Sequence, residues 1–189
     1  MQSSLTPVAC RSALVIGAAR SGKSRYALAL AEATAPDRLY LATAEAGDAE
    51  MAERIARHRR ERGEGEGWRT REEPLALAAA LRAEARPGRV VLVDCLTLWL
   101  SNLMLADRDL EAQIFELTAI LSDLGGPVVL VANEVGAGVA PATPLGRAFR
   151  DWQGRLNQAA AAACGAVVAV AAGLPTQLKP APQPDIRLR

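Results

Sequence analysis

The chain has 189 residues, enough for one domain with a substantial core. Its net charge of +1 gives no overall attraction to nucleic acid or to an anionic membrane, so we expect neither partner. The three cysteines are far apart and have no CxxC spacing, which disfavours a disulfide framework or a zinc site. This cysteine pattern fits reduced thiols in a cytoplasmic protein. The most apolar stretch, residues 159–173, is shorter than the roughly 20 residues that span a bilayer, so we expect no membrane span.

Short apolar runs alternate with helical patterns along the chain. The runs predict strands over residues 13–16, 39–42, 90–93, 128–132 and 166–170. The helical patterns cover residues 23–33, 48–62, 74–85, 96–105, 110–124 and 145–163, with Pro74 in the first turn of the third. We expect a loose leader over residues 1–12, a single domain over 13–179 and an extended or disordered tail over 180–189, and we interpret the proline-rich residues from 175 onward as extended or disordered too. The Gly/Glu-rich residues 61–67 predict a flexible loop.

This alternation predicts an α/β fold whose mostly parallel sheet carries helices on both faces. Ligands of such sheets bind beyond the carboxyl ends of the strands, so functional residues are expected directly after the strands.

A phosphate-binding motif follows the first strand. Residues 17–24, GAARSGKS, match the P-loop pattern GxxxxGK[ST] between a strand and a helix. Glycines allow backbone N–H groups to curl around phosphate oxygens, and the helix N-terminus favours an anion. Lys23 would contact the β- and γ-phosphates, and the Ser24 hydroxyl would bind Mg²⁺. The motif predicts a P-loop NTPase fold of the RecA-like kind that uses a nucleoside triphosphate.

Asp94 ends the apolar run VVLVD in the form of a Walker B strand. A carboxylate there can hold Mg²⁺ directly or through water. The alternative for Asp94 is a cap on the following helix, but together with the P-loop the metal role is favoured. This pair predicts a triphosphate with Mg²⁺ and leaves the acceptor open.

His58 is the only histidine, and it lies among arginines near the end of a predicted helix. One interpretation is a solvated basic face, which the helix dipole favours at a C-terminus. The other is a nucleophile, because neighbouring arginines disfavour protonation of the imidazole and a neutral ring nitrogen can attack phosphorus. The residues alone leave both open.

Two further polar groups follow the later strands. Asn133 and Glu134 come directly after the fourth predicted strand, where they could face a ligand or cap a turn. In the last predicted helix, polar residues share one face with Gly154, which is either solvated or approached closely by a ligand or subunit. That face comprises Arg147, Arg150, Asp151, Gly154, Asn157 and Gln158.

Together these stretches resemble the adenosylcobinamide kinase/adenosylcobinamide-phosphate guanylyltransferase family. The matching segments are GAARSGKSRYA (17–27), LYLATAEAGDAEMAERIARHR (39–59), WRTREEP (68–74), VVLVDCLTLWLSNL (90–103), NEVGAGVAP (133–141), LGRAFRDWQGRLNQ (145–158) and GLPTQLK (173–179). A P-loop is common, whereas EMAxRIxxH together with WRTxE and NEVGxGxxP is specific.

The resemblance implies a kinase step, from ATP or GTP to the hydroxyl of the cobinamide aminopropanol arm. It also implies a second step that moves GMP from GTP onto the resulting phosphate through a covalent GMP-histidine intermediate, for which His58 is the candidate. The implied partners are corrinoid substrates, ATP or GTP with Mg²⁺, and further copies of the chain in a homo-oligomer such as a trimer.

The resemblance also implies which residues act. The catalytic residues would be His58 and Lys23, and the metal ligands Ser24 and Asp94. The nucleotide contacts would be Gly17, Ala18, Ala19, Arg20, Ser21, Gly22, Lys23, Ser24, Ala42, Thr43, Ala44, Arg59, Arg60, Glu61, Arg62, Glu72 and Asp94. Two other classes stay open at this stage: a P-loop kinase of another small metabolite, and a RecA-like ATPase or binding module.

Overall fold

The computed structural model describes residues 9–44 and 67–181. Seven strands and five helices occur within these ranges. The strands are β1 (Ser12–Gly17), β2 (Asp37–Ala42), β3 (Trp68–Glu72), β4 (Arg89–Asp94), β5 (Val128–Asn133), β6 (Ala166–Ala171) and β7 (Leu174–Lys179). The helices are α1 (Lys23–Thr34), α2 (Leu77–Glu84), α3 (Leu96–Leu105), α4 (Leu110–Ile120) and α5 (Pro144–Ala163).

All seven strands form one sheet in the order β3-β2-β4-β5-β1-β6-β7. Every neighbouring pair is parallel except β6 and β7, which form an antiparallel hairpin at one edge. The predicted fold class, a mostly parallel α/β sheet with a P-loop after its first strand, is confirmed.

The two faces of the sheet are covered by different helices because side chains alternate along each strand. Leu14 of β1 packs into a core with α2, α3, α4 and α5. Val15, the next residue, packs on the opposite face with Ala27 and Ala31 of α1. Strands buried on both faces read as continuous apolar runs, and this is why the central strands could be predicted.

The structure corrects several boundaries. Helix α2 begins at Leu77, so Pro74 lies before the helix and not in its first turn. The carboxylate of Glu73 accepts a hydrogen bond from the backbone N–H of Ala76 at 2.8 Å, which fixes a turn there. Helix α4 ends at Ile120 and a turn follows it, and β1 begins at Ser12, one residue earlier than predicted.

Two edge strands were not predicted. β3 is an edge strand whose residues are all exposed or partly exposed, so it has no buried apolar run. β7 lies in the stretch that the proline content had marked as extended or disordered, and it is a strand paired antiparallel with β6, with a bulge at Leu178. The predicted helix over residues 48–62 and residues 61–66 of the predicted loop lie outside the described residues. Within the described ranges, no helix is both long and apolar enough to cross a bilayer.

Candidate active site

The carboxyl ends of five parallel strands meet at one edge of the sheet. Gly17 at the end of β1 pairs with Asn133 at the end of β5. Ala42 at the end of β2 pairs with Asp94 on one side and with Glu72 on the other. The structure therefore brings these five residues, singled out from separate stretches of sequence, to the same edge.

The P-loop leaves β1 at Gly17 and enters α1 at Lys23. Its turn is closed by a hydrogen bond from the Ser21 N–H to the Ala18 carbonyl oxygen at 3.2 Å. Arg20 and Gly22 have positive φ angles of 58° and 94°. Gly22 is the N-cap of α1 and has no side chain to cap the helix, so the first-turn N–H groups can serve an anion.

Residue 17 must be glycine because its surroundings leave no space for a side chain. A Cβ atom there would lie 2.4 Å from the carbonyl oxygen of Val170 and 2.5 Å from the hydroxyl oxygen of Ser21. Both distances are far below van der Waals contact. β1 and β6 can approach this closely at the mouth of the loop only because the position has no side chain.

Lys23 lies within the loop and is 8% exposed. Its ammonium group donates a hydrogen bond to the carbonyl oxygen of Ala18 at 3.2 Å, so the loop itself holds this charge near the start of α1. Ser24 follows in the first turn of α1.

Asp94 lies beyond β5 from the P-loop, at the end of β4. One of its carboxylate oxygens, Oδ2, accepts a hydrogen bond from the hydroxyl of Tyr40 at 3.0 Å. The thiol of the next residue, Cys95, is buried, and desolvation raises its pKa to about 11. The Asp94 charge contributes to this rise in pKa and the Lys23 charge opposes it, so both charged groups lie within electrostatic range of the same thiol. At neutral pH the Cys95 thiol is protonated and is not a nucleophile.

Thr43 joins the end of β2 to the end of β4. Its hydroxyl donates to the Cys95 carbonyl oxygen at 2.7 Å and accepts from the Cys95 N–H at 2.9 Å. The Thr43 carbonyl oxygen accepts from the amide of Asn102 at 2.7 Å. The residue is fully buried, and its hydrogen bonds hold the loop between Asp94 and α3 in place. A contact between Thr43 and the nucleotide stays a prediction.

Only some of the other predicted nucleotide contacts lie within the described residues. Glu72 is exposed at the end of β3, and Ala44 is the last described residue before the gap. His58, Arg59, Arg60, Glu61 and Arg62 lie outside the described residues, and their roles stay predictions.

Sequence reasoning missed the support that the P-loop receives from the β6–β7 hairpin. The N–H of Gly173 donates to the Ser21 carbonyl oxygen at 2.8 Å. A Cβ on Gly22 would lie 3.1 Å from the Cα of Gly173, so the two backbones are in close contact. The only signal in the sequence was a glycine three residues after the last predicted strand.

Helix α5 also supports the site edge. Asn157 is buried, and its side-chain amide donates to the Asn133 carbonyl oxygen at 3.0 Å while accepting from the amide of Gln153 at 2.8 Å. Arg147 donates to the carbonyl oxygens of Pro141 and Ala142, holding the loop before the helix. A Cβ on Gly154 would meet nothing within 4 Å among the described residues.

Comparison with known proteins identifies the family. The family model described as cobinamide kinase / cobinamide phosphate guanyltransferase matches residues 13–178. The chain belongs to this family. The family predicted from the P-loop and the other motifs is therefore confirmed.

Three relatives of the cobinamide kinase / cobinamide phosphate guanyltransferase family are similar over nearly their whole length. The bifunctional adenosylcobalamin biosynthesis protein CobP of Pseudomonas aeruginosa is 51% identical over 89% of this chain and 98% of its own. The proteins named CobU of Escherichia coli and Salmonella typhimurium are 40% and 39% identical, each over 88% of this chain and 98% of their own. Among solved structures, the P4 protein from bacteriophage phi6 in complex with ADP is 18% identical, with a TM-score of 0.49 over 93% of this chain and 56% of that one.

Proposed function

We propose that this protein phosphorylates adenosylcobinamide and then transfers GMP from GTP to adenosylcobinamide phosphate. The observation that carries the proposal is the P-loop, with Lys23 held at its mouth and the Asp94 carboxylate at the same sheet edge, in a chain that matches the family over residues 13–178.

The kinase step breaks the bond between the γ-phosphorus of ATP or GTP and its bridging oxygen. The hydroxyl of the aminopropanol arm forms the new P–O bond and releases its proton, and the nucleoside diphosphate leaves. The Lys23 ammonium and the N–H groups at the start of α1 stabilise the charge on the transferred group.

In the transferase step, a ring nitrogen of His58 attacks the α-phosphorus of GTP. A P–N bond forms, the bond from the α-phosphorus to the bridging oxygen breaks, and pyrophosphate leaves. Lys23 and the neighbouring arginines neutralise the charge on the departing pyrophosphate. The phosphate of the acceptor then attacks the same phosphorus and displaces the histidine, giving adenosylcobinamide-GDP. Positioning and charge neutralisation provide most of the rate enhancement.

The residues present suit Mg²⁺, which prefers oxygen ligands and normally keeps waters and nucleotide phosphates in its coordination sphere. The Ser24 hydroxyl and the Asp94 carboxylate would hold it. Bound there, it would neutralise charge on the phosphate oxygens. The family resemblance also supports a homo-oligomer, such as a trimer. The net charge of +1 supports a protein that binds no nucleic acid, and the widely spaced cysteines support a cytoplasmic location.

The test is covalent labelling with GTP carrying ³²P at the α-position. The wild-type protein should gain one GMP, located by mass spectrometry on the His58 peptide, and the label should be acid-labile and base-stable, as expected of a P–N bond. His58→Ala should lose the label while keeping its melting temperature. A label that persists in His58→Ala would overturn the histidine assignment.

Two lysine variants test the nucleotide site. Lys23→Ala should lower both kinase and transferase activity by about 100-fold or more, because both steps need the polyphosphate held. Lys179→Arg changes a lysine whose ammonium contacts the Ala161 and Ala162 carbonyl oxygens at the end of α5, and it should retain both activities. Equal losses in the two variants would contradict the role of Lys23.

A further inference from the structure

Tyr40 lies on β2 beside the strand that carries Asp94. It pairs with Leu92 of β4, and Asp94 is two residues further along that strand. Residues two apart point to the same face of a sheet, and a long side chain reaches its diagonal neighbour on the adjacent strand. The Tyr40 hydroxyl accordingly donates to Oδ2 of Asp94 at 3.0 Å.

The Tyr40 ring is fixed by packing. The residue is 6% exposed and belongs to the core beneath α1. Its ring meets that of Trp68 edge to face, with centroids 6.4 Å apart and an interplanar angle of 73°. The Trp68 indole N–H in turn donates to the Glu32 carboxylate of α1 at 3.4 Å. The hydroxyl is therefore presented to Asp94 by a ring with little freedom to turn.

The backbone after Asp94 is fixed independently by the two hydrogen bonds between Thr43 and Cys95. Strand β2 thus holds the end of β4 at two points, one on the main chain and one on the carboxylate. The main-chain contact leaves the carboxylate free to rotate about its own side-chain bonds. The hydrogen bond from the Tyr40 hydroxyl restricts this rotation.

We infer that Tyr40 is a positioning residue that orients the Asp94 carboxylate for the magnesium ion of the bound nucleotide. The bond to Tyr40 occupies Oδ2 and turns Oδ1 into a defined direction. Groups that orient a metal-binding carboxylate contribute substantially to metal affinity, although they never touch the metal. The inference rests on the proposed nucleotide site, but it is independent of the acceptor and of His58.

The test is nucleotide affinity measured with and without metal. Tyr40→Phe removes the hydroxyl and keeps the ring in contact with Trp68. Binding of the β,γ-imido analogue of GTP is measured by calorimetry in Mn²⁺ and again in EDTA, and bound Mn²⁺ is followed by electron paramagnetic resonance. The variant should lose about ten-fold in the affinity measured with Mn²⁺ and keep the affinity measured in EDTA.

The ratio of the two affinities separates positioning from a structural defect, because a partly unfolded sample loses binding in both conditions. Tyr26→Phe, which removes the only other phenol hydroxyl, should leave the ratio unchanged. In the background of Asp94→Asn, Tyr40→Phe should have no further effect on the ratio.

An unchanged ratio in Tyr40→Phe, or an equal effect with and without Asp94, would overturn the inference. Neither outcome would bear on GMP transfer, which the labelling of His58 tests separately.

Discussion

At the scale of single residues, two glycines of the P-loop are needed for different physical reasons. Gly22 has a φ of 94°, a backbone conformation that a side chain makes costly. Gly17 has no such angle, and it is glycine because the Val170 carbonyl oxygen and the Ser21 hydroxyl occupy the space of a Cβ. Any side chain at Gly17 must move the loop or β6.

Gly17→Ala should therefore weaken nucleotide binding by about ten-fold or more, since the displacement that relieves these contacts misplaces several P-loop N–H groups at once. Affinity for GTP, measured by calorimetry, checks this. Gly154→Ala adds the same methyl group where nothing lies within 4 Å, and it should bind GTP normally and be more stable by up to about 1 kcal/mol. Normal GTP binding by Gly17→Ala would show that the loop tolerates the displacement.

At the scale of elements, the β6–β7 hairpin supports the P-loop from outside. Its turn residues, Ala172 and Gly173, have φ angles of 50° and 80°, as a two-residue type I′ turn requires. The turn places the Gly173 N–H against the Ser21 carbonyl oxygen. Through this hydrogen bond, a change in the conformation of the hairpin turn is expected to change the conformation of the P-loop.

Gly173→Ala should lower the melting temperature by roughly 2–4 °C, because a positive φ costs a side chain about 1 kcal/mol. It should also reduce the stabilisation that GTP adds, because the strained turn carries the Gly173 N–H that donates to the Ser21 carbonyl oxygen of the P-loop. Gly88→Ala is the matched control, because Gly88 also has a positive φ angle, 81°, and no described atom lies within 4 Å of an added Cβ. Gly88 directly precedes β4, at the end of that strand away from the P-loop. Thermal melts with and without GTP should show a smaller GTP effect in Gly173→Ala alone. The same GTP effect in both variants would contradict the prediction that the hairpin turn influences GTP binding at the P-loop.

The elements that could be predicted from the sequence are those whose signal is local. Central strands such as β4 are continuous apolar runs, and the P-loop and Asp94 follow such runs directly. The edge strands β3 and β7 have mostly exposed residues, so neither has the buried apolar run by which the central strands were predicted. The role of Tyr40 could not be predicted for a different reason. Its register against Asp94 exists only once β2 and β4 have paired.

At the scale of the whole molecule, the two ends of the sheet differ in chemistry. The carboxyl ends of the strands form the candidate nucleotide site, whereas the amino ends of β2, β3 and β4 are joined by ion pairs. Asp37 accepts hydrogen bonds from Arg69, Arg86 and Arg89 at 2.9, 3.3 and 3.0 Å. Arg89 is 4% exposed and is also paired with Glu84. A buried guanidinium needs such partners to offset its loss of hydration. The cluster therefore links the amino ends of these strands, opposite the candidate nucleotide site.

The hydrogen bond from Arg69, reinforced by Arg86, holds the pKa of Asp37 below its usual value. A carboxyl whose pKa is lower in the folded state stabilises the fold above its unfolded pKa of about 3.9, and this contribution is lost as pH falls through the folded pKa. Asp37→Asn should therefore lower the melting temperature at pH 7, and the difference from wild type should shrink below about pH 4.

Melting curves between pH 7 and pH 2.5 check this prediction. The control is Asp123→Asn, which changes an exposed carboxylate in the turn after α4. Both variants should bind GTP like wild type at pH 7, because Asp37 lies at the amino end of β2 and the candidate nucleotide site at its carboxyl end. A difference in melting temperature that stays constant with pH would mean that Asp37 acts through packing or neutral hydrogen bonds. Loss of GTP binding in Asp37→Asn would mean that the two ends of the sheet are coupled through β2.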